Sequence, residues 1–265
     1  MNAFAVPCRH AFLLSLLPLA ACAPVQTPIA KAPPTSAVAT LQTAELLPAA
    51  PRAGTARYEA DRQVFLATRT LEGTPRWTLA QQDVDYATPR LLADFSCAMG
   101  TPLDATRLPR LAALVDATST AADASTGPAK KANQRQRPFV IDKGATCQST
   151  ERLTNSFDYP SGHATRGWAV GLVLAELAPD RATDLLLRAR AFADSRVVCG
   201  VHNLSAIDAG AMNGAAVVAV LHASAPFQAS LDDAKKELAA YRGTAAAMPA
   251  TPCAAEKALI EPTPY

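Results

Sequence analysis

Residues 160–177 read PSGHATRGWAVGLVLAEL: a Pro160-Ser161-Gly162 corner, then His163, then an apolar run from Ala164 to Leu177. Proline and glycine ahead of such a run mark a chain break followed by a helix, and the free amides of that first turn can bind an anion. Apolar positions at three and four spacings recur before it, in Arg57–Leu71, Thr78–Cys97 and Ala105–Ala122, and after it, in Asp180–Val198, Leu204–His222 and Pro226–Tyr241. Gly73, Pro75, Gly100, Pro102, Gly127 and Pro128 punctuate the early segments. No stretch alternates apolar and polar residues long enough to make a sheet, so the fold class is all-α, a single-domain helical bundle over residues 56–243. Ala209–Leu221 is the most apolar run of the domain, yet Asp208 and Asn213 hold it below the ~20 residues that cross a bilayer. It reads as a buried core helix in which Gly210 and Gly214, one turn apart, permit close packing.

Outward from this core the ends of the chain read differently. Arg9 followed by the apolar stretch Ala11–Ala21 is too short to span a bilayer and predicts a secretory signal over residues 1–21. It ends Leu19-Ala20-Ala21-Cys22, which resembles the lipobox of bacterial lipoproteins and makes Cys22 the expected lipidated residue. Ala23 is not the aspartate that favours inner-membrane retention, so the expectation is a periplasm-facing lipoprotein of the bacterial cell envelope, on the outer membrane. Residues 22–55 are rich in Pro, Ala and Thr and predict a tether that reaches up to roughly 100 Å when extended. Residues 244–265, rich in Ala and Pro, predict a tail draped over the surface.

A net charge of +2 gives no general affinity for nucleic acid, so any positive field must be local. The membrane is contacted through the N-terminal lipid alone, and a homo-oligomer stays open. Cys97, Cys147, Cys199 and Cys253 remain in the domain; an even count in an exported protein favours disulfides, with three connectivities allowed. No CxxC or HExxH pair is present and Asp158 and Asp208 have no ligand spacing, so neither metal nor cofactor is expected.

Three short segments carry chemistry. Lys130 and Arg137 lie two helical turns apart, and Pro138 should stop a continuing helix and present Arg137 at its edge. His163 sits beside the Ser161-Gly162 anion corner. Arg196 and His202, six apart, face opposite sides of an unbroken helix, and Gly200 supplies the break that turns both toward one point. Each segment alone has an ordinary explanation: a solvated basic stretch, a helix cap, a surface arginine. Together they bring three cations and two imidazoles to one site, suited to holding a phosphate and passing it through a histidine. His222, at the end of the core helix, reads as structural.

The combination resembles the class A bacterial nonspecific acid phosphatases, within the type 2 phosphatidic acid phosphatase and vanadium haloperoxidase superfamily. That pattern is Lys, six residues, Arg-Pro; then Pro-Ser-Gly-His; then Ser-Arg, five residues, His, three residues, Asp. Lys130, Arg137-Pro138, Pro160 to His163, Ser195-Arg196 and His202 match it, and the likeness runs from about Asp83 to Arg242, including Thr146-Cys147, Gly167-Trp168 and Val198-Cys199-Gly200. The resemblance implies a phosphomonoester hydrolase without metal, acting on a small phosphomonoester and binding inorganic phosphate. By it His202 attacks phosphorus, His163 protonates the leaving alcohol and activates water, and Lys130, Arg137, Ser161, Gly162 and Arg196 hold the phosphoryl oxygens. It also pairs Cys147 with Cys199, which leaves Cys97 with Cys253.

Two positions depart from the pattern. Ala206 stands where the family has aspartate, one turn after His202, and Asn203 replaces a tryptophan. The missing carboxylate would hold the second ring N–H, and its loss is expected to slow turnover roughly a hundredfold to ten-thousandfold; Asp208 points elsewhere on a helix. A lipoprotein that has lost catalysis and binds phosphorylated ligands or a partner is therefore the alternative, and vanadate-dependent halide oxidation, which uses the same anion cradle, is a weaker third.

Overall fold

A computed structural model describes Met1 and residues 41–265. The expected signal, Cys22 and the first part of the tether lie outside the described residues. Among the described residues the architecture is all-α, without strands: α1 Thr43–Leu46, α2 Ala56–Thr68, α3 Pro75–Gln82, α4 Thr88–Asp94, α5 Ser96–Met99, α6 Pro109–Asn133, α7 Pro138–Ile141, α8 Gly162–Leu177, α9 Ala182–Val198, α10 Leu204–Leu221, α11 Ala225–Arg242 and α12 Ala250–Ile260.

The bundle is built around α8, which packs against α6, α9 and α10. Val170, Val173 and Leu174 of α8 join Leu111, Leu114, Phe192 and Val217 in one buried core, which α4, α5 and α11 close with Leu91, Leu92, Phe95, Met99 and Phe227. Burial of side chains this size contributes on the order of 1.5–3 kcal/mol each, before entropy is counted. Gly210 and Gly214 are what let α10 lie on α8: an added Cβ would come within 2.7 Å of the Ser161 carbonyl oxygen and 2.6 Å of that of Thr165. That backbone contact fixes the start of α8 against α10. By length and composition α10 is apolar enough to cross a membrane, but it lies against α6, α8 and α9 in the core.

The structure differs from the sequence reading in helix boundaries and at both ends of the domain. The segment expected as one helix over Thr78–Cys97 is α3, α4 and α5, because residues 83–87 leave the helix and turn the carbonyls of Asp83 and Val84 toward His163. The helix expected to end at Ala122 runs through Gly127-Pro128 to Asn133, because packing on α8, α10 and α11 outweighs the proline. Residues 41–50, expected in the tether, lie on the domain: Thr43 Oγ1 donates to Ser125 O at 2.9 Å, Ala50 N to Asn133 Oδ1 at 2.7 Å and Tyr159 OH to Pro48 O at 2.7 Å. The expected tail contains α12, tied by the Cys97–Cys253 disulfide, with Ile260 buried and Tyr265 OH donating to Asp194 Oδ1 at 2.8 Å. The second disulfide is Cys147–Cys199, so both pairings agree with the sequence reading.

Candidate active site

Helix α6 ends at Asn133, and Gln134 takes a left-handed conformation (φ 47°), so Lys130 and Arg137 do not share a continuous helix. Lys130 leaves the last turn of α6 and Arg137 the extended backbone before Pro138, yet both reach one cavity of about 560 Å³. Gly162 and His163 from the start of α8, Arg196 from the end of α9 and His202 line the same cavity. Gly200, at φ 74°, makes the turn that links the last two, and the amides of Val201 and His202 both donate to the Arg196 carbonyl at 3.1 and 3.2 Å. Ser161 is fully buried and serves as the cap of α8, its Oγ accepting from Ala164 N at 3.3 Å; it is not among the residues lining the cavity.

The cations are not alike. Lys130 Nζ donates to the Phe157 carbonyl, and burial, with Arg137 nearby, pushes it down to about 8. Arg137 is nearly saturated: Nε donates to Ser156 O at 2.8 Å, Nη1 to Val201 O at 2.7 Å and Nη2 to Ser156 Oγ at 3.2 Å. Arg196 is 2% exposed and makes one hydrogen bond, Nη2 to Gln148 Oε1 at 2.7 Å. Its Nε and Nη1 are buried without a partner among the described residues. Burial and then Arg137 push it down to about 9, still cationic at neutral pH. A buried cation with two open donors costs stability unless a ligand fills them.

The imidazoles have assignable tautomers. His202 Nε2 lies 3.0 Å from Arg137 Nη1, which can only donate, so Nε2 holds a lone pair and Nδ1 carries the proton. That proton goes to Asp158 Oδ1 at 2.8 Å. His163 Nε2 faces the carbonyls of Asp83 and Val84 at 3.1 and 3.2 Å, so there Nε2 carries the proton and Nδ1 is left to exchange one. The ring stacks on Phe192 and meets the edge of Tyr86. Burial, then the Arg137, Lys130 and Arg196 charges, hold His202 well below the usual imidazole value; burial, then Arg196 and His202, do the same for His163.

The PAP2 superfamily profile matches residues 112–229. The chain is 40% identical over 197 residues to an acid phosphatase of Zymomonas mobilis, a region covering 74% of this chain and 75% of that protein. It is 36% identical over 199 residues to a non-specific acid phosphatase of Providencia stuartii (73% and 79% covered), and 33% over 195 residues to one of Salmonella typhimurium (72% and 78%). The chain belongs to the nonspecific acid phosphatase family of the PAP2 superfamily. Within that family pattern the departure at position 206 takes on a different meaning in three dimensions. Sequence reasoning left the second nitrogen of His202 without a carboxylate; in this PAP2 protein Asp158 stands there instead, wholly buried, and Asn203 grips it from both sides, Nδ2 to Oδ2 at 2.8 Å and backbone N to Oδ1 at 3.2 Å. Asp158 lies 44 residues from His202, so no local spacing could reveal the pair. Its one sequence signal is its place two residues before Pro160. Gln148 and the Asp83 carbonyl were missed for the same reason, while His222 lies outside the cavity, 2.9 Å from Glu176.

Proposed function

We propose that this enzyme hydrolyses small phosphomonoesters through a phosphohistidine on His202. The observation that carries the reading is Arg196: two buried, unfilled N–H donors on a cation that lines the same cavity as His202, whose Nε2 keeps its lone pair and accepts from Arg137 Nη1 at 3.0 Å. A phosphoryl group supplies the oxygens those donors lack, and Lys130, Arg137 and the first-turn amides of Gly162 and His163 add positive potential where charge builds in the transition state. His202 Nε2 attacks phosphorus as the P–O bond to the alcohol breaks, and His163 gives that alkoxide a proton from Nδ1. Water then attacks the phosphohistidine, His163 takes its proton, Nε2 is released and inorganic phosphate leaves. The dianion raises the depressed affinity of His163 for the proton it must donate. Ser161 contributes by holding the first turn of α8 in shape.

The test is hydrolysis of p-nitrophenyl phosphate by the purified mature protein. Activity is expected in the parent and absent in His202→Ala; equal rates in the two overturn the reading. The Leu19-Ala20-Ala21-Cys22 sequence further supports a lipidated Cys22 anchoring the enzyme to the outer membrane, facing the periplasm. Labelling with a radioactive fatty acid should tag the parent and not Cys22→Ser; label on both would refute the anchor.

A further inference from the structure

Ala206 is fully buried, and its carbonyl accepts the Ser161 amide at 2.9 Å. It packs against Tyr159, the neighbour of Asp158. The carboxylate of Asp158 therefore approaches His202 from the chain segment that leads into the Pro160-Ser161-Gly162 corner, rather than from α10. All of its surroundings are arranged as donors: the Nδ1–H of His202, the amide and side-chain amide of Asn203, and Arg135 with its Nε 3.7 Å from Oδ2. Arg135 is itself buried and fixed by Asp61 at 2.8 Å and Ser205 Oγ at 2.6 Å. Burial leaves the Asp158 carboxyl above its usual range, against the downward pull of Arg135, the Asn203 hydrogen bonds and Arg137. With donors on both oxygens, the ionised form is the one this pocket recognises.

We propose that Asp158 is the positioning residue of His202, so that the carboxylate absent from position 206 has been relocated within this chain and turnover is not impaired by Ala206. Asn203 belongs to the same device, because its amide occupies the oxygen of Asp158 that His202 does not use. The proposal rests on His202 being the nucleophile. Asp158 holds Nδ1–H, keeps the Nε2 lone pair aimed at phosphorus, and stabilises the positive charge the ring acquires when Nε2 bonds to phosphorus. No other carboxylate among the described residues is bonded to this ring; the charged groups around it are Arg137, Lys130, Arg196, His163 and Arg135.

The experiment is a cycle on the purified mature protein, with p-nitrophenyl phosphate kinetics as a function of pH. Asp158→Ala is expected to lower kcat roughly a hundredfold to ten-thousandfold, with KM and the inhibition constant of inorganic phosphate within a few-fold of the parent. The limb on which His202 must lose its proton should move to lower pH, since the ring has lost the anion that favoured its charged form. Asp158→Asn, which keeps an acceptor for Nδ1–H but not the charge, should fall between the two. Ala206→Asp placed in the Asp158→Ala background should recover at least roughly tenfold of kcat. In the parent the same substitution sets a second carboxylate near the first and should give no increase.

Three results overturn the proposal: Asp158→Ala with kcat within about threefold of the parent, an unmoved pH limb, or an increase of more than about tenfold on Ala206→Asp alone, which would mean that the parent lacks a working carboxylate. If Asp158→Ala does not fold, Asp158→Asn and Ala206→Asp decide the matter. A parallel His202→Ala separates the levels: an active His202→Ala refutes the phosphohistidine, whereas an inactive one beside a fully active Asp158→Ala refutes only the role of Asp158.

Discussion

Replacing Arg196 by methionine separates a side chain kept for ligand binding from one kept for the fold. Burial, then the Arg137 charge, pull the guanidinium down to about 9, and at about 1.4 kcal/mol per unit the drop from its ordinary value corresponds to an order of 5 kcal/mol of disfavoured charge. Against it stands one charged hydrogen bond, to Gln148, which returns about 1.5–3 kcal/mol. Methionine keeps apolar bulk and brings neither the charge nor the two orphan donors. Arg196→Met should therefore raise stability by about 2 kcal/mol, or roughly 4–8 °C in the melting temperature of a domain this size. Activity should move the opposite way. Two charge-assisted bonds to phosphoryl oxygens, at about 1.5–3 kcal/mol each, are worth about 3–6 kcal/mol, so kcat/KM should drop roughly a hundredfold to ten-thousandfold. Inorganic phosphate should raise the melting temperature of the parent and leave the variant nearly unmoved. Calorimetry with and without phosphate, beside p-nitrophenyl phosphate kinetics, reads all three quantities. A variant that melts several degrees lower, or one with kcat/KM within about threefold of the parent, would refute the reasoning.

Other consequences are open to simpler measurements. Lys130 holds its charge below about 8 and loses it above, so phosphate affinity should weaken as pH rises through that value, and Lys130→Met should bind more weakly without this step. The rate of the parent should be bell-shaped in pH, because His202 must be neutral and His163 protonated; a flat profile for kcat/KM would contradict the assigned roles. Removing the Cys147–Cys199 bridge, which closes a separation of 52 residues, should cost about 4 kcal/mol on a chain-entropy estimate. It should also loosen Gln148 and with it Arg196, so that equal denaturant midpoints for the parent and Cys147→Ser/Cys199→Ser would count against the bridge as a support. Gly214→Ala, whose Cβ would lie 2.6 Å from the Thr165 carbonyl, should destabilise by about 1–3 kcal/mol. Gly127→Ala, which meets nothing within 4 Å in α6, should not destabilise.

Where structure is local, the sequence discloses it. Gly200 and Pro138 act within a few residues, and so the break before His202 and the extended Arg137 could be read directly. Helix existence followed the apolar period, but helix ends did not always follow the breakers. Pro128 sits inside α6 because the packed faces of that helix outweigh one lost hydrogen bond. The opposite happened after Gln82, where a period that continues on paper is interrupted so that two carbonyls can meet His163. Residues 41–50 and α12 are short and rich in Ala and Pro, with no long apolar period to show that they fold, and their anchors are distant in sequence: single side chains, a disulfide and backbone acceptors. Asp158 is the sharpest case. Nothing about a carboxylate 44 residues from a histidine marks it as that histidine's partner, and only the approach of α10 to the corner before α8 brings them together.

The central claim is covalent chemistry at one nitrogen, and rapid acid-free quenching of the parent with substrate labelled in its phosphoryl group tests it most directly. The account predicts an alkali-stable, acid-labile phosphoryl label that fragmentation maps to His202, forming and decaying at rates consistent with turnover and absent from His202→Ala. Turnover that proceeds with no labelled histidine, or a label found on another residue, would contradict it.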